Sequence, residues 1–212
     1  MPRNKKPFQP KDLDPTLAAI EPRSNVELKN LSHNPSFSEE THCFRASVYI
    51  NGKRMFSVSN RGNGGANHYE PLAHGGLDHH LLKKSRKEFG EAMSLAREEA
   101  KAYILKKIDM GEDLQWAIDH YGNGESNGLI DWLISDLINE QLTLKEMRKI
   151  LKKKVAIYEP KHNAISVFTT QPTDENIEAL RSRHHVDETN EGWVWLNVIP
   201  EPEAYKYWRV AA

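Results

Sequence analysis

The sequence predicts an α+β protein: an N-terminal antiparallel β-hairpin or sheet packed by helices, followed by a smaller β-hairpin-α-β section. Three observations carry that reading. Over residues 42–50 the apolar Phe44, Ala46, Val48 and Ile50 alternate with Cys43, Arg45, Ser47 and Tyr49, the period of a strand with one buried face. Asn51-Gly52 follows, a pair that tolerates positive φ in a type I′ turn, and residues 53–60 return with Phe56 and Val58, which makes a hairpin. Beyond Ser85, the residues Phe89, Ala92, Met93, Ala96, Ala100, Tyr103, Ile104 and Ile108 recur at three- and four-residue spacing, the signature of a helix packed along one stripe.

The elements follow in order. Residues 1–23 hold Pro2, Pro7, Pro10, Pro15 and Pro22 among Lys and Arg, a composition that resists helix and strand, so a flexible basic proline-rich arm is expected. A short strand fits residues 24–31. The first long helix is expected to open at Ser85, with Glu88 completing a capping box, and to end at Gly111. A shorter helical piece covers residues 114–121, and a glycine-rich loop, residues 122–128, leads to 129–139, apolar nearly all round and so buried on several sides. Thr143 with Glu146 forms a second capping box, predicting a separate basic helix to about Lys153. Residues 155–158 and 164–168 read as strands around a turn. Thr173 caps a helix to Arg183 that faces Ile177 and Leu180 inward, and Trp193, Trp195 and Val198 lie near a last strand before Pro200 and Pro202. With no internal repeat, the expected organisation is the arm 1–23, an α+β lobe 24–141 and a smaller α+β lobe 142–212.

Composition narrows the function classes. The 29 basic residues nearly cancel the 30 acidic ones, giving no global attraction to nucleic acid or to an acidic membrane surface. A single cysteine, Cys43, excludes an intramolecular disulfide framework and a cysteine zinc site, and fits a reducing, cytoplasmic compartment. No apolar run approaches the roughly 18 residues of a membrane span, and the first residues lack the apolar stretch of a secretion signal. No cofactor and no membrane partner is expected.

Several constellations are candidates for chemistry. The loop Asn60-Arg61-Gly62-Asn63-Gly64-Gly65-Ala66-Asn67-His68 can present backbone N–H groups to an anion, make a partner contact, or simply turn the chain. It lacks the Lys-Ser or Lys-Thr pair and the helix of a phosphate loop. Ser38, Glu39, Glu40 and Thr41 place two carboxylates and two hydroxyls before a strand, as a solvated turn, a cation site or an acid and base. Together, Ser38, Glu39, Glu40, Thr41, Asn60, Gly62, Gly64, Gly65, Asn67 and His68 form the expected partner- or ligand-binding set. His74, Asp78, His79 and His80 offer metal ligands in a short span but match no ordered zinc signature, so no metal site is expected. His184-His185 is read as facing a helix C-terminal dipole. His42 and Cys43 would point to opposite faces of a strand, which leaves a surface or edge cysteine rather than a nucleophile and base. Lys145, Arg148, Lys149, Lys152, Lys153 and Lys154, with Lys83, Lys84, Arg86 and Lys87, could bind nucleic acid or form a solvated face. Trp193, Trp195, Tyr205, Tyr207 and Trp208 could stack on bases or pack in a core.

Asn30-Leu31-Ser32-His33, the strand Ser38-Glu39-Glu40-Thr41-His42-Cys43-Phe44-Arg45-Ala46 and the loop Ser59-Asn60-Arg61-Gly62-Asn63-Gly64-Gly65 resemble a family of small uncharacterised proteins of tailed bacteriophages, prophages and their bacterial hosts. The segment 151–157 and the closing strand-helix section extend the resemblance over most of residues 25–208; the arm before Ser24 is outside it. The resemblance implies a phage-related accessory protein acting on a host or phage macromolecule, and carries no catalytic residue. Three functional readings result: a non-enzymatic binding protein working through the glycine-rich loop, a nucleic-acid-binding module using the helix at 143–153, or a small hydrolase or transferase using Glu39, Glu40, His68 and the loop.

Overall fold

The hairpin that the alternation and Asn51-Gly52 dictate is the centre of the N-terminal sheet. In the computed structural model, which describes residues 24–72, 79–109, 111–122, 126–184 and 192–211 and only the backbone of 79–83, β2 (Cys43–Ile50) and β3 (Lys53–Arg61) pair antiparallel. Asn51 and Gly52 both take positive φ, 51° and 75°, as a type I′ turn requires. β1 (Val26–His33) and β4 (His68–Pro71) flank them in the order β1-β2-β3-β4. Asn30, with φ 56°, sits at a register shift between Lys29 and Ser32, after which His33 lies opposite Phe44.

One face of this sheet is apolar over most of its length: Val26, Leu28, Phe44, Ala46, Val48, Ile50, Phe56 and Val58 are buried. α1 (His79–Asp109) buries Ala92, Met93, Ala96, Ala100, Tyr103 and Ile104, and Phe89 meets Phe56 edge-on with ring centroids 6.1 Å apart. The helix starts six residues before Ser85, so no capping box forms there. Leu81, Leu82, Lys83 and Lys84 are all good helix formers and no breaker separates them from Ser85, so a cap motif without a stop in front of it does not begin a helix. Gly111 takes φ 95° just past the helix end, as expected. α2 (Gln115–Tyr121) is short, and α3 (Gly128–Leu151) runs unbroken for 24 residues. The second expected helix start, at Thr143, is therefore also absent: Glu140, Gln141 and Leu142 continue the helix, and neither Gly nor Pro occurs between Leu129 and Leu151.

The chain divides into two units at residues 140/141. In the unit 22–140, α3 contributes Leu129, Ile130, Leu133, Ile134, Leu137 and Ile138, all buried, which accounts for a segment apolar on nearly every side.

In the unit from 141, β5 (Val155–Glu159) lies between β6 (Ala164–Phe168) and β7 (Val194–Trp195), both antiparallel to it. α4 (Asp174–Arg183) is capped by Thr173, whose Oγ1 accepts from Asn176 N at 3.2 Å. α5 (Glu201–Ala211) is an element that the prolines at 200 and 202 concealed: in a first turn a proline removes an N–H that has no helical partner anyway. Its Ala204, Tyr207 and Trp208 close a core with Met147, Ala156, Tyr158, Val194 and Leu196. Asn197 fastens this unit at three points. Its Oδ1 accepts from Ala156 N at 2.8 Å, and its Nδ2 donates to Leu151 O and Lys154 O, both at 3.0 Å. Among the described residues no helix is long and apolar enough to cross a membrane. The proline-rich arm, His74, Asp78 and His185 lie outside the described residues, as do the side chains of His79 and His80.

Candidate functional site

Two loops 19 to 24 residues apart in sequence are cross-tied at the end of the N-terminal sheet. Gly62, which follows β3 with φ 89°, turns its carbonyl oxygen into a cradle of three successive amides. Glu39, Glu40 and Thr41 donate to it at 2.9, 3.0 and 3.2 Å. A Cβ at Gly62 would lie 1.9 Å from Phe37 O and 2.8 Å from Cys43 Cβ, so only glycine fits. Asn60 is the hub on the loop side. Its Oδ1 accepts from Gly62 N at 2.9 Å and from Thr41 Oγ1 at 3.0 Å, while its Nδ2 donates to Asn67 Oδ1 at 3.1 Å and Gly65 O at 3.2 Å. Ser38 holds the other side, its hydroxyl donating to Asn34 O and accepting from Cys43 N, both at 2.9 Å. The loop is thus a rigid turn. The three amides that most resemble an anion cradle belong to 39–41 rather than to the glycines, and the chain's own carbonyl fills them.

The cross-tied loops border a groove of about 470 Å³, walled on its other side by Trp116, Tyr121 and Trp132. Trp116 on α2 is 53 % exposed. The Tyr121 ring lies against Gly128, where a Cβ would come within 2.4 Å of it. Asp131, in the first turn of α3, accepts from Tyr69 Oη at 2.6 Å and from Asn67 N at 3.3 Å through the same oxygen, Oδ1. Burial holds the Asp131 carboxyl above the ordinary carboxylate range despite these donors, and burial together with the neighbouring carboxylate raises the Tyr69 hydroxyl. Among the described residues neither Lys nor Arg lines the groove. Close by, the almost fully buried ammonium of Lys107 stands 3.1 Å from Glu112 and 3.2 Å from Asp136, over the rings of Trp132 and Tyr103 at 5.2 and 5.5 Å.

A hydrogen-bonded chain of side chains runs along the rim. His42 Nε2 lies 2.8 Å from Asn139 Oδ1, and its Nδ1 lies 3.2 Å from His33 Nε2. With the Asn139 oxygen as acceptor, His42 carries its proton on Nε2 and accepts from His33 Nε2–H.

The predicted site residues separate into two groups. Ser38, Thr41, Asn60, Gly62, Gly64, Gly65 and Asn67 are brought together; Glu40 joins them through its carboxylate, which lies against Gly64 so that a Cβ there would meet Oε2 at 2.4 Å. Glu39 and Glu40 are exposed and do not line the groove. His68 is excluded by the strand pleat. It lies opposite Ser59, on the outer face with Arg45, and its Nε2 sits 3.5 Å from Glu70, whereas Tyr69 points to the groove side. The acid-base set of Glu39, Glu40 and His68 therefore does not assemble.

Other expectations resolve in the same way. Cys43 is half-buried on an inner strand, not an edge. Arg148 is exposed but engaged by Glu201, with Nε at 2.8 Å from Oε2, and Lys145, Lys149, Lys152, Lys153 and Lys154 are the other exposed cations of that stretch. Tyr207 and Trp208 are buried in the core, and Trp195 lies beneath Arg181, so these aromatics pack rather than offer a stacking surface. His184 packs between Phe168 and Trp193, with centroids 5.5 and 5.8 Å away. Among the described residues no group of three or more side chains could hold a metal ion. His33, Tyr69, Trp116, Tyr121, Asp131 and Trp132 were not legible as site residues; the signal available was an aromatic, Trp116, beside Gln115 and near Asp119 and His120 on a short polar helix.

What the fold and the site define is a two-unit α+β protein with an aromatic-walled groove that Asp131 also lines. No family model matches the chain, and neither does any curated protein or solved structure.

Proposed function

We propose that this chain is a phage-type accessory protein of the cytoplasm that binds a host or phage macromolecule through the groove of its N-terminal unit, without catalysis. The phage assignment rests on the resemblance of the 38–46 strand and the 59–65 loop. The binding assignment rests on one observation: two cross-tied loops and a half-exposed tryptophan frame an open groove, and the Thr41 hydroxyl and Asn60 amide that line it are already committed to the fold. Ser38 and Thr41 both donate their hydroxyl protons within the turn, a poor arrangement for a nucleophile and a good one for a preorganised contact surface.

The test is capture of partners by the tagged full chain from nuclease-treated host lysate, comparing wild type with Trp116→Ala, followed by rebinding of the captured protein in purified form. A purified partner bound by wild type and lost by the folded variant supports the reading. Nucleic acid alone, or capture indifferent to Trp116, refutes it and returns attention to Lys145, Lys149 and Lys152.

A further inference from the structure

We infer that the groove receives a cationic side chain, lysine or arginine, presented by a partner polypeptide. The inference rests on the binding role proposed above and specifies its chemistry. Trp116, Tyr121 and Trp132 supply aromatic rings, and among the described residues that line the groove Asp131 is the only carboxylate and neither Lys nor Arg occurs. Asp131 accepts from Tyr69 Oη and Asn67 N through Oδ1, the Asn67 side-chain amide also bonds its carboxyl, and the residue lines the groove. A half-buried carboxylate, with no Lys or Arg among the described residues lining its groove and with aromatic rings in the same lining, is matched by an ammonium or guanidinium group.

Two comparisons within the molecule sharpen the choice. An uncharged, hydroxyl-rich ligand would need free amides, yet all four hydrogen-bonding positions of the Asn60 side chain are taken inside the loop. An anion would face Asp131 with no compensating cation. The unit already uses the proposed chemistry once, where Lys107 sits over Trp132 and beside Asp136. The groove repeats those components, aromatic rings with an aspartate, without a Lys or Arg among its described lining residues.

The experiment titrates the full chain with Nα-acetyl-arginine methylamide, Nα-acetyl-lysine methylamide and the uncharged isostere Nα-acetyl-citrulline methylamide, reading the tryptophan indole N–H resonances. A saturable shift is expected with both cations, with citrulline about tenfold weaker or worse. Asp131→Asn should reduce the arginine affinity to the citrulline level, and Trp116→Ala should weaken it about threefold. Equal binding of arginine and citrulline, no saturable shift with either cation, or an Asp131→Asn protein that binds like wild type would each overturn the inference. The arginine-to-citrulline comparison needs no variant and so stands even if Asp131→Asn fails to fold. A partner captured through Trp116 without a preference for arginine over citrulline would remove the cation and leave the binding role intact.

Discussion

Replacing Asn60 by alanine should detach the glycine-rich loop from the turn at 38–41. Four hydrogen bonds go with the side chain, at 2.9 to 3.2 Å. Gly62 is buried, so its orphaned N–H costs about 2 kcal/mol, and the three more accessible partners lose about 0.5 kcal/mol each as water replaces the amide. The total is about 3.5 kcal/mol. With a urea slope of about 2 kcal/mol per molar, the midpoint of the N-terminal unit should fall by about 1.7 M. Hydrogen exchange on the same sample should show faster exchange at Glu39, Glu40 and Thr41, which donate to Gly62 O. Asn60→Asp is the companion variant, because it keeps both acceptances and turns both donations into repulsions. A loss below about 1 kcal/mol in Asn60→Ala, with the three amides still protected, would refute the hub.

Three further outcomes follow from the geometry. Gly62→Ala should destabilise by more than about 3 kcal/mol, through overlap with Phe37 O added to the cost of positive φ, whereas Gly65→Ala, with φ 88° and nothing within 4 Å of its new Cβ, should cost only the backbone term of about 1–2 kcal/mol; denaturant titration of the pair checks this. Asn197→Ala removes three bonds joining Ala156, Leu151 and Lys154 and should cost about 2–4 kcal/mol in the C-terminal unit, again read by denaturation. Because burial raises the Asp131 carboxyl above its ordinary value of 3.8, its stabilising contribution is fully present below that value and is lost as pH rises through the higher folded-state value. Asp131→Asn should therefore gain stability relative to wild type at neutral pH and lose that advantage under acid, as thermal melts across pH would record.

The hairpin, the helix ending before Gly111, the Thr173 cap and the β5–β6 pair were legible because each is specified within about ten residues, by alternation, a turn dipeptide or a cap. The extra helix starts at Ser85 and Thr143 misled because a capping box states how a helix can begin, not that the preceding residues stop being helical. α5 escaped because a proline in a first turn reads as a breaker. In the site, the pairing of 38–41 with 60–67 was visible only as two suspect clusters, and their contact depends on the β2–β3 register. Tyr69 and Asp131 meet across 62 residues, and His42 meets Asn139 across 97, separations at which no local pattern operates. His68 is off by one residue in the period of a strand, since its neighbour Asn67 lines the groove and Tyr69 bonds Asp131.

The single oxygen of Gly62 has a genealogical consequence. Three amides meeting one carbonyl tie the length of the 38–41 turn to that of the loop after β3, while Glu39, Asn63 and Ala66 are exposed and free to change identity. An insertion in either segment would withdraw the oxygen from all three donors together. Relatives of this chain should therefore be recognisable by fixed spacing between an asparagine, its glycine two residues on and the preceding turn, even where almost every other residue has drifted.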